Sequence, residues 1–214
     1  MKLSLNQTDL GRYVVSQLRH FFPDRHSLTG IKRHLPEVLA RIETCFSPIA
    51  NSYYRRGSHV YFNHLHTDHY ATFLYFLANT LYRHDTPSYL CEQVFYLNKA
   101  LHGLDIFHEV ELPAIFQFVH PLGTVLGRAK YSDYLVVSQH CTVGNNHGIY
   151  PTLGKNLILY PGASVLGRCK VGDNCRLAAH ALLVDQNLKP NTTYFGLPKN
   201  FVITKNTQAN TFWR

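Results

Sequence analysis

The stretch "GASVLGRCKVGDNCRLAAHALLV", residues 162–184, repeats with a period of six. Val165, Val171, Leu177 and Leu183 return at every sixth position, and a small residue precedes each by two: Ala163, Cys169, Cys175 and Ala181. Upstream, Leu159 and Leu153 continue the run. A slip of four residues separates it from an earlier run at Val119, Val125, Tyr131, Val137, Val143 and Ile149, with Gly123, Ala129 and Cys141 in small positions. Such a period is neither the roughly 3.6 residues of a helix nor the roughly 2 of an isolated strand. It predicts a triangular parallel β-helix: each hexad forms one flat side and a corner, the aliphatic fills the prism, and the small residue fits the turn. Stacked coils would lie ~4.8 Å apart. Gly127, Gly144, Gly154, Gly167 and Gly172 fall around the corners, where unusual backbone angles are needed.

Residues 1 to about 105 follow the helical period instead. Leu10, Val14, Leu18 and Phe21 form one stripe, and Ile31, Leu35, Val38, Leu39, Ile42 and Phe46 a second. Tyr70, Phe73, Leu74, Leu77 and Leu81 form a third, and Leu90, Val94, Leu97 and Leu101 a fourth. Thr67 and Thr86 are placed as N-caps, with Asp68 and Pro87 in the first turns that follow, and Gly103 stops the last helix. The expected architecture is α+β: a helical domain over residues 1–110, a β-helix over 111–204 and a tail over 205–214.

A net charge of +8 suits nucleic acid, a membrane surface or an anionic small molecule. No long Lys/Arg block, helix-turn-helix or RNA-binding signature is present, so a phosphate-rich small ligand fits at least as well as nucleic acid. No run approaches the roughly 18 apolar residues of a membrane span, and "MKLSLNQTDLGRYVV" lacks the apolar stretch of a signal peptide, so a cytoplasmic location is expected. The five cysteines have no C-x-x-C spacing and an odd count, which fits reduced packing thiols.

The hexads resemble those of the left-handed β-helix acyltransferases, and the helices before them resemble one branch, the serine O-acetyltransferases. "YLNKALHGL" (96–104) is similar to the last helix before the prism in that family, "VHPLGTVLGRA" (119–129) to its I-H-P-x-A-x-I-G-x-G opening, and "GLPK" (196–199) to its terminal G-x-P-A-[KR]. The resemblance implies transfer of acetyl from acetyl-CoA to a hydroxyl of a small acceptor, in a homotrimer or dimer of trimers with coenzyme sites between neighbouring prisms. It implies neither a metal, nucleic acid nor stable membrane insertion. A histidine would take the acceptor's proton and backbone amides would hold the oxyanion. Departures accompany the matches. The family's D-H-A-T-G stretch is met by Asp133 followed by Tyr134, and at least one coil is missing before the position of its D-R-H-P loop, where His147 stands. Serine is therefore one acceptor reading, and a sugar of a surface polysaccharide or its precursor another.

His147 stands at the slip of the hexad, where a loop can leave the prism, and is a candidate base or a polar corner residue. His140, in "SQHCTVG", resembles the E-H-D-x-x-I-G histidine of sugar-modifying acyltransferases and competes with it, against a reading as a solvated surface residue. Asp133 would orient either imidazole or bind the acceptor, or serve as a corner residue. Cys141 invites an acyl-cysteine reading, but its hexad slot is one of packing. By resemblance, Gly196, Lys199, Ala179 and Arg168 are candidates for holding coenzyme A. "NHLHTDHY" (63–70) reads either as a metal cluster of His64, His66, Asp68 and His69 or as a strand or turn entering a capped helix. His120 is read as shaping the first coil, His102 as packed on a helix, and "YYRR" (53–56) as a solvated loop. N-acylation of an amino-sugar nucleotide and a non-catalytic trimeric scaffold remain the competing functions.

Overall fold

The computed structural model describes residues 1–84 and 87–214. Its N-terminal half holds four helices, α1 (Gln7–Phe21), α2 (Thr29–Phe46), α3 (Thr67–Arg83) and α4 (Ser88–His102). A small sheet accompanies them, with β3 (His59–Phe62) between β1 (Lys2–Leu3) and β2 (Arg55–Arg56). Asn6 caps α1 by accepting a hydrogen bond from the Asp9 amide, satisfying a donor the helix leaves open. α3 is the central helix: every residue from Asp68 to Leu81 is buried, and it packs against both α2 and α4.

The four stripes are buried except at two helix ends, where Phe21 is 43% and Leu101 39% exposed. The N-cap of α3 is His66, one residue before the expected Thr67, and Pro87 caps α4 rather than opening its first turn. Thr86 lies outside the described residues. Gly103 ends α4 as expected, with φ +62, the left-handed conformation that glycine adopts without a Cβ penalty. The Tyr-Tyr-Arg-Arg segment is not wholly solvated. Residues 52–54 make one 3-10 turn, and the Tyr54 ring is buried against Phe46 and His69.

The second half is a parallel prism of three faces. One face stacks β4 (Phe116–Val119), β6 (Leu135–Ser138), β9 (Ile158–Leu159), β12 (Arg176–Leu177) and β14 (Thr192–Leu197). The second stacks β5 (Val125–Leu126), β7 (Thr142–Gly144), β10 (Ser164–Leu166) and β13 (Leu182–Val184), and Asp105 adds a bridge to Val125. The third pairs β8 (Thr152–Leu153) with β11 (Lys170–Val171), extended by bridges from Lys130 and Leu188. Inside, the rungs Val137–Leu159–Leu177–Tyr194, Val143–Val165–Leu183 and Leu153–Val171–Leu188 run in register and are buried. β15 (Asn200–Lys205) turns back antiparallel on β14.

The hexad phase holds at Val137 and Val143 and again from Leu153 onward, and fails in the first coil. Phe118 and Leu126, not Val119 and Val125, pair with Val137 and Val143. Leu126 is 1% exposed where Val125 is 43% exposed. The corner between these rungs is longer than elsewhere, and Thr124 rather than Gly123 fills its buried slot, accepting from the Cys141 amide. Ile149 leaves the ladder too. Asn146 and Ile149 exchange backbone hydrogen bonds around His147 (φ +50) and Gly148 (φ +78), so the four-residue slip is a tight hairpin turn.

Residues 206–214 return along the prism toward the helices. Asn156, Asn174 and Asn191 stack at one corner through amide hydrogen bonds of 3.0 and 2.8 Å. The returning tail bonds to that ladder: Asn206 donates to the Asn174 carbonyl, Arg176 donates to Gln208 and Ala209, and Asn210 pairs with Asn156. Trp213 bridges to Ile49 and sets its ring against Tyr134. Among the described residues, no helix is long and apolar enough to cross a membrane.

Candidate active site

His140 stands at a corner in the left-handed conformation, φ +57, with its ring over Gly123. A Cβ on Gly123 would lie 2.5 Å from His140 Nδ1. Two coils on, His180 repeats the same φ, and its Nδ1 would lie 2.5 Å from a Cβ on Gly162. The geometry of His140 is thus a property of the corner. His147 is exposed at the tip of the hairpin turn. Its charged neighbour is Asp185, whose carboxylate accepts from the Arg168 amide (2.7 Å) and from Asn146 Nδ2 (2.6 Å). Those bonds, then the nearby His147 and Arg168 charges, hold Asp185 below the usual carboxylate range. Tyr150, not a histidine, directly precedes Pro151, and its hydroxyl accepts from Asn145.

Asp133 accepts from the Ile115 amide at 3.0 Å and so ties two coils together. Among the described residues, no hydrogen bond or ion pair joins Asp133, His140 and His147. Burial pushes the Cys141 thiol up to about 11, and the thiol donates to the Tyr160 carbonyl at 3.2 Å, a packed group rather than a nucleophile.

The residues expected at the coenzyme fall on two surfaces of one chain. Ala179 lines a groove of about 460 Å³ with Arg176, Phe195, Thr204 and Lys205. Gly196 and Lys199 belong to the hairpin that walls this groove. Gly196, at φ +98, admits no side chain, since a Cβ would meet the Asn200 carbonyl at 2.4 Å. Arg168 stands apart, at the corner shared with Asp185 and the His147 turn.

The cleft that residue spacing did not reveal lies where helices, first coil and tail meet. It measures about 390 Å³ and is lined by Asn51, Tyr53, His66 and Asp68 from the helical half, Gln117 and His120 from the first coil, and Thr211 and Phe212 from the tail. His120 is exposed and, with φ +51, opens the long corner after β4. It also lines a neighbouring hollow of about 190 Å³ with Thr67, His102 and Leu122, so its imidazole stands between two recesses. Gln117 Oε1 and His66 Nδ1 are buried without a protein partner among the described residues. Buried polar atoms left unpaired cost about 1–3 kcal/mol each, and a polar ligand in the cleft would relieve that cost.

Burial holds two neighbouring imidazoles, His69 and His102, neutral. His69 stacks on His66 at 4.1 Å and accepts from the Asn63 amide through Nδ1, so its proton is on Nε2. Burial, then the neighbouring His66, lowers its pKa to about 3. His102 donates through Nδ1 to Asn98 Oδ1 at 2.8 Å, and burial lowers its pKa to about 4. Among the described residues, the "NHLHTDHY" side chains do not bring three donor atoms together: His64 bonds Ser4 at 2.8 Å, His69 accepts from the Asn63 amide, and a strand and turn lead into α3.

No family model matches the chain. Over 127 residues, 57% of its length, it is 28% identical to a serine acetyltransferase of Synechococcus elongatus, of which it covers 51%. It is 30% identical over 105 residues, 47% of the chain, to a serine acetyltransferase of Mycobacterium tuberculosis, covering 45% of that protein. The chain therefore spans about half the length of the curated relatives it matches. A serine acetyltransferase from Brucella abortus, solved in complex with coenzyme A, superposes with a TM-score of 0.73 over 97% of this chain and 85% of that one, at 17% identity. At that identity the likeness is one of fold. The chain is a helical domain followed by a left-handed β-helix of hexapeptide repeats, and it resembles the serine acetyltransferases in sequence over part of its length and in fold over nearly all of it.

Proposed function

We propose that the protein transfers acetyl from acetyl-CoA to a hydroxyl of a small acceptor, bound in the cleft between the helical half and the first coil. The observation that carries this reading is the exposed His120, which lines both a cleft with polar side chains from the two halves and a neighbouring, largely apolar hollow beside Leu101 and Leu122. His120 takes the acceptor's proton as its oxygen attacks the thioester carbonyl. The new C–O bond forms, the C–S bond breaks, and the proton passes to the departing CoA sulfur. Backbone amides hold the oxyanion. Relatives named serine acetyltransferases support acetyl transfer, and the fold neighbours include one in complex with coenzyme A and one, from Entamoeba histolytica, in complex with cysteine.

Because Ala179 and Arg168 occupy separate surfaces of one chain, a coenzyme lying between neighbouring prisms of a trimer would meet one from each. His147 is the second reading for the base, favoured by the Asp185 carboxylate beside it. The acceptor is serine or a sugar hydroxyl. The assay is CoA release from acetyl-CoA with serine, with acetylatable sugars and with an amino-sugar nucleotide. Turnover with a hydroxyl acceptor is expected. Turnover with the amino sugar alone would make the protein an N-acyltransferase, and neither turnover nor acetyl-CoA binding would leave a scaffold.

A further inference from the structure

We propose that His34, Glu37 and His84 form a site for a divalent transition-metal ion of the zinc type, clasping α2 to the end of α3. His34 and Glu37 lie one turn apart on α2, so their side chains leave the same face. Opposite them His84 caps α3, and its ring stacks on His34 with centroids 4.5 Å apart and planes 27° apart. Glu37 Oε2 and His84 Nε2 are 2.6 Å apart, and one donor atom from each of the three residues lies within 4.8 Å of the other two. Among the described residues, this is the only group of three or more histidine, cysteine or acidic side chains so arranged.

An ordinary ion pair leaves this geometry unexplained. One carboxylate can neutralise one imidazolium, yet two imidazoles are stacked face to face beside it, with the Arg33 charge also pressing on His34. Imidazole nitrogens are the commonest protein ligands of such ions. A divalent ion would replace the proton held between Glu37 and His84 and satisfy all three donors together. Tetrahedral zinc with bonds of about 2.0–2.2 Å sets its ligands ~3.3 Å apart, so the short contact must open by less than about 1 Å. Both side chains are partly exposed and free to make that adjustment. A hollow of about 670 Å³ lined by Ser27, Arg33, His34, His84 and Tyr89 adjoins the group, leaving a fourth position open to water or a small anion. Two imidazoles and one carboxylate with an open position are a donor set zinc accepts.

The test titrates the full chain, stripped with chelator, with Zn²⁺ by calorimetry, and with Co²⁺ by visible absorption. The wild type is expected to bind one ion per chain, with a rise in melting temperature and tetrahedral Co²⁺ bands. His34→Ala and His84→Ala should each weaken binding by at least ~100-fold, and the near-isosteric Glu37→Gln by at least ~10-fold. His20→Ala, on the exposed side of α1, should bind as the wild type. Because the ligands must lose protons, affinity should fall as pH drops from 7 toward 5. Circular dichroism identifies variants that remain folded, and Glu37→Gln and His84→Gln serve where an alanine variant does not. The proposal is overturned by a wild type that binds no zinc, or by several equal weak sites. It is equally overturned by folded Glu37→Gln and His84→Gln proteins that bind as tightly as the wild type.

Discussion

His140 and His120 belong to the same prism, yet their surroundings differ in kind. His140 has a twin: His180 shares its corner, its left-handed backbone and its ring-over-glycine contact. A solenoid gives successive coils the same neighbours, so a side chain that recurs with the coil is accounted for by the coil. His120 has no such twin. It stands on a corner longer than the others and faces helices and tail rather than another turn of the repeat. The proposed function accordingly puts the chemistry where the repeat meets a different structure, not where it is most regular.

The largest expected effect separates these two histidines. His120→Ala should lower kcat/KM by about 10²–10⁴-fold, the usual contribution of a general base, whereas His140→Ala should stay within about threefold of wild type. Equal losses in both, or loss in His140→Ala alone, would contradict the distinction. Within the regular coils, Leu159→Ala should cost about 2–5 kcal/mol, read as a lower urea midpoint, because it opens a cavity between the Val137 and Leu177 rungs.

Acid should act on the helical half. His69 and His102 have folded pKa values of about 3 and about 4, below the unfolded value of about 6.5. The unfolded chain binds more protons between these values, so the stability they contribute is complete above about pH 6.5 and declines as pH falls toward 4. At pH 5 the loss should reach about 2 kcal/mol per histidine. His69→Gln should flatten the urea midpoint between pH 7 and 5, and an unchanged slope would place the acid sensitivity elsewhere.

Smaller effects probe the corners and the first coil. Gly162→Ala should cost about 1–2 kcal/mol, since φ is +75 and the new Cβ meets the His180 ring. Adding His180→Ala should recover the part due to the ring. Val125→Ala should cost less than about 0.5 kcal/mol and Leu126→Ala about 2–5 kcal/mol. The reverse order would restore an unbroken hexad phase to the first coil.

That phase error shows what the sequence could carry. From Leu153 to Leu183 an aliphatic stands at every sixth position, and all six are buried rungs. In the first coil Phe118-Val119 and Val125-Leu126 are adjacent apolar pairs, so a one-residue shift leaves the pattern intact while turning the other member inward. By count His147 stands at the slip of the hexad, and there His147-Gly148 makes the centre of a two-residue turn. The helical stripes and Gly103 were readable because their signals are local. The cleft is not: His66, Gln117, His120 and Phe212 come from separate parts of the chain, and the apolar pairs on either side of His120 hide the break in the hexad there. His34, Glu37 and His84 are likewise joined by helix packing, which no local spacing encodes.

The most direct measurement is a structure of the protein with coenzyme A and the acceptor identified by the CoA-release assay. The acceptor is expected in the cleft of Asp68, Gln117 and His120, with its reacting hydroxyl about 2.6–3.2 Å from the His120 imidazole. An acceptor seated instead on the outer corner beside His140, or against the His147 turn and Asp185, would contradict it.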